Sequence, residues 1–260
     1  MKKGKKLYEG KAKIIFATSD KNVVIQHFKD DATAFNNQKK ANIEGKGILN
    51  NRISEHLLKS LTEIGIKNHL IKRLNMREQL VELVNIIPIE FIIRNIATGS
   101  LTKRLGIEEG TVLDYPLIEY CLKNDELGDP IVSREHILNF KWLNIVELNQ
   151  INEQCLRIND FLQGIFRGIG IKLVDFKIEF GKAKSDEKII LADEISPDTC
   201  RLWDQKTDKK LDKDRFRKDL GDVVEAYQEV ARRLGILHEQ SNIRPIKFSK
   251  PIAVKIKKNK

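Results

Sequence analysis

The 260-residue chain is 41% hydrophobic and 32% charged, which suits a globular protein of one large domain or two smaller ones. It contains no stretch apolar enough for a membrane span or a secretory signal. A formal net charge of +10 suggests nucleic acid, but Lys2, Lys3, Lys5, Lys6 and the six lysines of 247–260 account for all of it; residues 7–246 are balanced and hold no recognisable nucleic-acid module.

From the N-terminus, Leu7–Phe16 predicts two short strands around Gly10, and Val23–Phe28 predicts a third. Gly10-Lys11-Ala12-Lys13 sets two ammonium groups at i,i+2 spacing on one face, where lysine can act as a mobile point charge toward polyphosphate. Solvated surface lysines are the plainer reading of that spacing, and the chain contains no Walker loop. A polar loop at Asp30–Gly47 precedes a helix marked by Ile53, Leu57, Leu58, Leu61 and Ile64, which Gly65 stops. His69–Leu74, Gln79–Ile87 and Ile89–Arg94 read as strands. Pro88 reads as a hinge between a β-rich lobe (1–87) and a second lobe (88–246), and a basic tail (247–260) follows.

Arg94 leads through Thr98-Gly99-Ser100 into a short helix ended by Gly106. Free N–H groups at that helix start, the Ser100 hydroxyl and Arg94 form a candidate anion site; simple capping by Ser100 is the alternative. Amphipathic stripes predict helices at 145–169 and 212–234.

The most informative stretch lies between those two helices. Ile171–Gly181 is β-prone, and alternation sends Asp175, Lys177 and Glu179 to one face and Val174, Phe176, Ile178 and Phe180 into a core. Lys188–Ala192 follows after a hairpin-length connection and ends in Asp193-Glu194, so pairing brings Glu179 and Asp193 to one end of a sheet. Two hard carboxylates beside a lysine suit Mg²⁺ on a nucleotide, against the alternative of a solvated face with an internal salt bridge. Ser196–Asp204 then places Arg201 just downstream. Cys121, Cys155 and Cys200 are scattered without metal-ligand spacing, which predicts a reduced, cytoplasmic setting. None of the five histidines sits in a motif, and no Ser-His-Asp or Cys-His constellation is suggested.

Two segments, Ile87–Ser100 and Leu173–Gly181, closely resemble the two signatures of the SAICAR synthase family. Leu7–Lys13, Leu122–Asp125, Asp193–Asp198 and Asp212–Arg217 extend the resemblance in collinear order over about residues 7 to 237. Acidic residues sometimes found in that family at the Phe35-Asn36 loop are absent. The resemblance implies a two-lobed α+β fold with antiparallel sheets and an ATP cleft between the lobes. It implies an ATP-dependent ligase joining L-aspartate to the carboxylate of carboxyaminoimidazole ribonucleotide, with ATP and Mg²⁺ and, as assembly, a dimer. On this analogy Lys11 and Lys13 contact nucleotide phosphates, and Glu179 and Asp193 ligate magnesium. Arg94, Ser100 and Arg201 clamp the sugar phosphate, Lys123 also binds substrate, and Lys177 and Asp175 line the imidazole side. Lys177, Asp175 and Lys11 form the implied catalytic set. Another ATP-dependent small-molecule ligase or kinase is the alternative; it would share the lysines and carboxylates without needing the Arg94, Ser100 and Arg201 combination.

Overall fold

The N-terminal strand signals become β1 (Lys6–Glu9), β2 (Lys13–Ala17) and β3 (Val23–Phe28) in a computed structural model that describes residues 2–34 and 39–237. Phe35, Asn36 and the stretch 247–260 lie outside the described residues. β4 (Asp31–Ala34) and β5 (Lys39–Asn42) form a separate ladder within the segment read as a polar loop. After α1 (Lys46–Glu63) come β6 (Leu70–Arg73) and β7 (Glu78–Glu82), and a five-stranded sheet forms in the order β1-β2-β3-β7-β6. Asp30 fixes the start of α1, accepting from the Gly45 and Gly47 N–H groups while Arg77 grips both its oxygens at 2.8 Å.

β8 (Val84–Ile96), α2 (Ser100–Leu105) and β9 (Val112–Leu122) begin a second sheet. β10 (Ile131–Val132), α3 (Arg134–Asn139) and α4 (Ile145–Gly168) lead to β11 (Ile171–Ala183), β12 (Ile189–Ala192) and β13 (Cys200–Asp204). The short α5 (Asp214–Arg217) and then α6 (Val223–Arg233) follow. The six-stranded sheet runs β10-β9-β8-β11-β12, with β13 also on β11, and its ladders are antiparallel. This is the α+β architecture with antiparallel sheets that the sequence implies. β9, β10 and α3 occupy a region to which the sequence patterns assign no element.

Three details differ from expectation. Pro88 is no break between elements but lies inside β8, where the pairing with β11 skips from Glu90 to Ile86 and asks no N–H of the proline. The sheets divide instead at Leu83, between β7 and β8. The helix expected at 212–234 is interrupted, because Asp219, Gly221 and Asp222 adopt φ of 54°, 67° and 47°, so α5 and α6 are separate and Leu220 is exposed. Finally, β11 carries a bulge toward β13 between Leu173 and Asp175. Leu173 joins the core of Phe176, Ile178 and Phe180, while Val174 packs apart with Ile96 and Trp203.

The main core lies between α1, α4 and the second sheet, with Leu70 of the first sheet at its edge. α1 contributes Ile53, Leu57, Leu58 and Leu61, α4 contributes Leu148, Ile151, Ile158, Leu162 and Phe166, and β8 and β11 lie among them. Burying each such side chain contributes about 1.5–3 kcal/mol. The backbone joins the sheets. Residues 67–69 run parallel to β12, with His69 N donating to Leu191 O at 2.9 Å and Leu191 N to Lys67 O at 3.0 Å, while Glu82 N of β7 donates to His69 O at 2.7 Å.

Candidate active site

β11 aims Asp175, Lys177 and Glu179 at one face, and its neighbours decide what each meets. Opposite Glu179 stand Glu90 on β8 and Ala192 on β12, and the next residue, Asp193, turns back toward them at φ 63°. Lys177 Nζ lies 2.5 Å from Glu179 Oε1, 3.1 Å from Asp193 Oδ2 and 3.3 Å from Glu90 Oε1. From the first sheet Lys13 pairs with Asp193 Oδ1 and approaches Glu194 Oε1 at 2.9 Å; Lys123 lies 2.8 Å from Glu179 Oε1.

Burial favours the neutral forms of Asp193 and Glu179, but neighbouring ammonium groups outweigh it. Lys13 and Lys177 hold Asp193 far below the usual carboxylate range, and Lys177 with Lys123 lowers Glu179 against the opposing charge of Asp193. The same carboxylates overcome burial to raise Lys13 and Lys177. Both sets are therefore charged at neutral pH. His69, buried beside them, is neutral, because burial pulls its imidazole down to about 4. Two ionised oxygen donors sharing a lysine suit magnesium, which takes one or two carboxylates together with nucleotide phosphates and water. Among the described residues no group of three or more His, Cys, Asp or Glu is arranged to hold a metal.

Lys11 does not join this cluster. It stands in the turn before β2, where strand alternation no longer applies, and its ammonium pairs with Asp125 Oδ1 at 2.7 Å near the surface. The two lysines expected on one face thus diverge.

At the other end of the row, Asp175 stands between two arginines. Arg94 faces it from β8 and Arg201 from β13, in direct register on either side. Asp175 Oδ2 accepts from Arg94 Nη1 at 2.6 Å and from Arg201 Nη1 at 2.7 Å. Arg94 is only 2% exposed, with Nε on Glu119 at 2.6 Å and Nη2 on the Ser100 hydroxyl at 3.2 Å, so all three of its nitrogens are engaged. Arg201 Nε binds Asp214 Oδ2 at 3.1 Å, and its Nη2 has no partner among the described residues. Ser100 is the first residue of α2 and not its cap; that place belongs to Gly99, and the helix has no side-chain cap. Gly99 is required there, because a Cβ would lie 2.8 Å from Arg201 Nη2 and its φ is 63°. Four residues of strand set Asp175 and Glu179 about 13 Å apart. The face thus offers a lysine–carboxylate cluster at one end and an arginine–serine cluster at the other, a layout for two anionic ligands.

A family model described as SAICAR synthetase matches residues 6–234. The chain belongs to the SAICAR synthetase family. A phosphoribosylaminoimidazole-succinocarboxamide synthase of Pelagibacter ubique (strain HTCC1062) is 71% identical over 260 residues, covering 99% of this chain and 100% of that protein. The crystal structure of a phosphoribosylaminoimidazole-succinocarboxamide synthase from Ehrlichia chaffeensis superposes with a TM-score of 0.88 at 58% identity, covering 90% of this chain and 100% of that one. A SAICAR synthetase in complex with ADP gives a TM-score of 0.84 at 47% identity, covering 87% and 96% of the two chains.

Several participants on this SAICAR synthetase framework escape a reading of the sequence. Glu90 and Glu119 arrive by cross-strand register from β8 and β9; Glu90 lies inside a recognised segment without announcing a charge partner. Buried Lys46 binds Asp198 Oδ2 at 2.6 Å, and Tyr227 donates to Asp198 Oδ1 at 2.6 Å, which ties α1, the loop after β12 and α6 together. Asp212 and Asp214 belong to the Asp212–Arg217 match, but only the fold sets Asp214 against Arg201.

Proposed function

We infer that the chain is an ATP-dependent ligase joining L-aspartate to the carboxylate of carboxyaminoimidazole ribonucleotide, giving SAICAR in de novo purine biosynthesis. The observation that carries this reading is the single face of β11 in a SAICAR synthetase chain, with the lysine–carboxylate cluster at one end and the paired arginines at the other. The ADP complex of the relative at 47% identity supports nucleotide binding. A kinase would not need the arginine–serine end, and no observation favours one.

A carboxylate is a poor electrophile, so its oxygen first attacks the γ-phosphorus of ATP, giving an acyl phosphate and ADP. The aspartate amine then adds to that carbonyl carbon, the C–O bond to phosphate breaks, the amine proton is lost to solvent or phosphate, and the amide remains. Lys13, Lys177 and Lys123 contribute point charges that align and neutralise the transferring phosphoryl group. Glu179 and Asp193 would hold Mg²⁺, which supplies charge neutralisation on the nucleotide when bound. Arg201 and Ser100 take the substrate's phosphate, and buried Arg94 holds Ser100 and Asp175 in place for them. Asp175 and Lys177 face the imidazole between the two ends. Lys11 contributes to nucleotide binding from the cleft rim.

The nucleotide lies between a lobe built on the first sheet, up to Leu83, and one built on the second, from Val84 onward, with the 247–260 tail dispensable. The working assembly is a dimer in the cytoplasm; no helix among the described residues is long and apolar enough to cross a membrane. The test follows an atom. Imidazole substrate labelled with ¹⁸O in its carboxylate should yield labelled inorganic phosphate only when ATP and aspartate are both present. Unlabelled phosphate would overturn the ligase reading.

A further inference from the structure

Asp212, two residues before α5, is fully buried, and no cation pairs with its side chain among the described residues. Its Oδ2 accepts the N–H of Leu202 at 2.8 Å, and its Oδ1 accepts the N–H of Asp214 at 2.7 Å. Leu202 follows Arg201 on β13. Asp214 holds Arg201 Nε on one oxygen and Arg217 Nη1, at 2.6 Å, on the other. One side chain therefore fixes Arg201 twice, through the main chain beside it and through the carboxylate at its guanidinium.

We propose that Asp212 is a positioning residue for substrate binding, whose two carboxylate oxygens hold Arg201 and its partner Asp214 in the geometry that receives the imidazole nucleotide's phosphate. This rests on the phosphate role given above to Arg201. Burying a carboxylate without a cation is costly, and an apolar residue would serve packing alone at less expense. An amide is no substitute, because asparagine offers one acceptor oxygen and its NH₂ would face a backbone donor. The groups facing Asp212 are Arg201 and Cys200 on β13, Asp214 on α5 and Tyr227 on α6. Burial, reinforced by the Asp214 carboxylate, lifts Asp212 to about 7, against the two backbone donors and Arg201. Protonation occupies one of its acceptor oxygens, so the hold on Arg201 loosens as the pH falls through neutrality.

Steady-state kinetics of the full chain test this with Asp212→Asn and Arg201→Lys. Losing one buried acceptor in Asp212→Asn should raise KM for the imidazole nucleotide about tenfold at pH 8 and leave KM for ATP within about twofold. The ionisation near pH 7 in wild-type kcat/KM for that substrate should vanish in the variant, while the ionisation of the substrate's own phosphate persists in both. Equal rises in both KM values would mark a merely structural role and overturn the proposal. If Arg201→Lys raises the imidazole KM and Asp212→Asn changes neither it nor the pH profile, the Asp212 role falls while the Arg201 assignment stands. If Arg201→Lys leaves that KM unchanged, the Arg201 assignment falls and takes the proposal with it. Should Asp212→Asn fail to fold, hydrogen exchange of the Leu202 and Asp214 amides in the wild type decides. Protection corrected for intrinsic rates should drop about tenfold from pH 8 to 6, and constant protection would overturn the proposal.

Discussion

Replacing Asp175 by asparagine keeps the shape of the row on β11 and removes the charge shared by the two arginines at its end. Both arginines direct Nη1 at the same oxygen, at 2.6 and 2.7 Å. Once that oxygen is neutral, two guanidinium charges no more than roughly 5 Å apart repel by ~3 kcal/mol at an effective dielectric of 20. Removing one member of a buried ion network costs about 3–5 kcal/mol, the same range by a separate route. All three groups are well shielded from water, so little of this is lost to screening. At about 2–4 °C per kcal/mol for a chain of this size, Asp175→Asn should lower Tm by about 6–20 °C. Calorimetry at pH 7 measures it, and Asp175→Asn with Arg201→Gln, which removes one of the repelling charges, should recover part of the loss. A deficit under about 1 kcal/mol in the single variant, or no recovery in the double, would refute the reasoning.

Glu179→Gln should cut turnover by about 100-fold or more while circular dichroism still reports a folded chain; near-normal activity at ordinary magnesium would refute its assignment. Asp193 has a folded pKa below its unfolded value near about 3.9, so its stabilisation is present above about pH 4 and is lost as pH falls. Wild type should accordingly exceed Lys13→Met in stability by a margin that is full at neutral pH and shrinks in acid, and a constant margin from pH 7 to 2 in denaturant titrations would contradict this. Gly99→Ala forces a Cβ against Arg201 in a backbone region nearly closed to other residues, at a cost of about 1–3 kcal/mol. Its KM for the imidazole nucleotide should rise more than that for ATP.

Strands with a strict apolar period were legible from the sequence. β3 and β11 fall where the sequence places them; from Asp175 onward alternation along β11 sets Asp175, Lys177 and Glu179 on one face, and pairing with β12 brings Asp193 to its end. Departures arose where backbone geometry, not side-chain pattern, decides. A bulge detached Val174 from its expected companions, and three positive-φ residues cut a continuous-looking stripe before α6. Partners supplied by register between distant strands, such as Glu119 for Arg94, carry no local mark. The family resemblance named the imidazole and the aspartate; the pairing of charges came only with the fold.

The strip of main chain at 67–69 along β12 bears on how the enzyme moves. Lys13 belongs to the first sheet and Asp193 follows the last residue of β12, yet this strip fastens the sheets side by side immediately before Asp193. This stitched edge restrains relative motion of the two sheets most strongly beside Asp193 and leaves the Asp175 end freer. The lysine–carboxylate cluster is thereby tied by main-chain hydrogen bonds as well as by its own ion pairs. On the proposed ligase reading, the ribonucleotide would enter and leave by the less tethered Asp175 end.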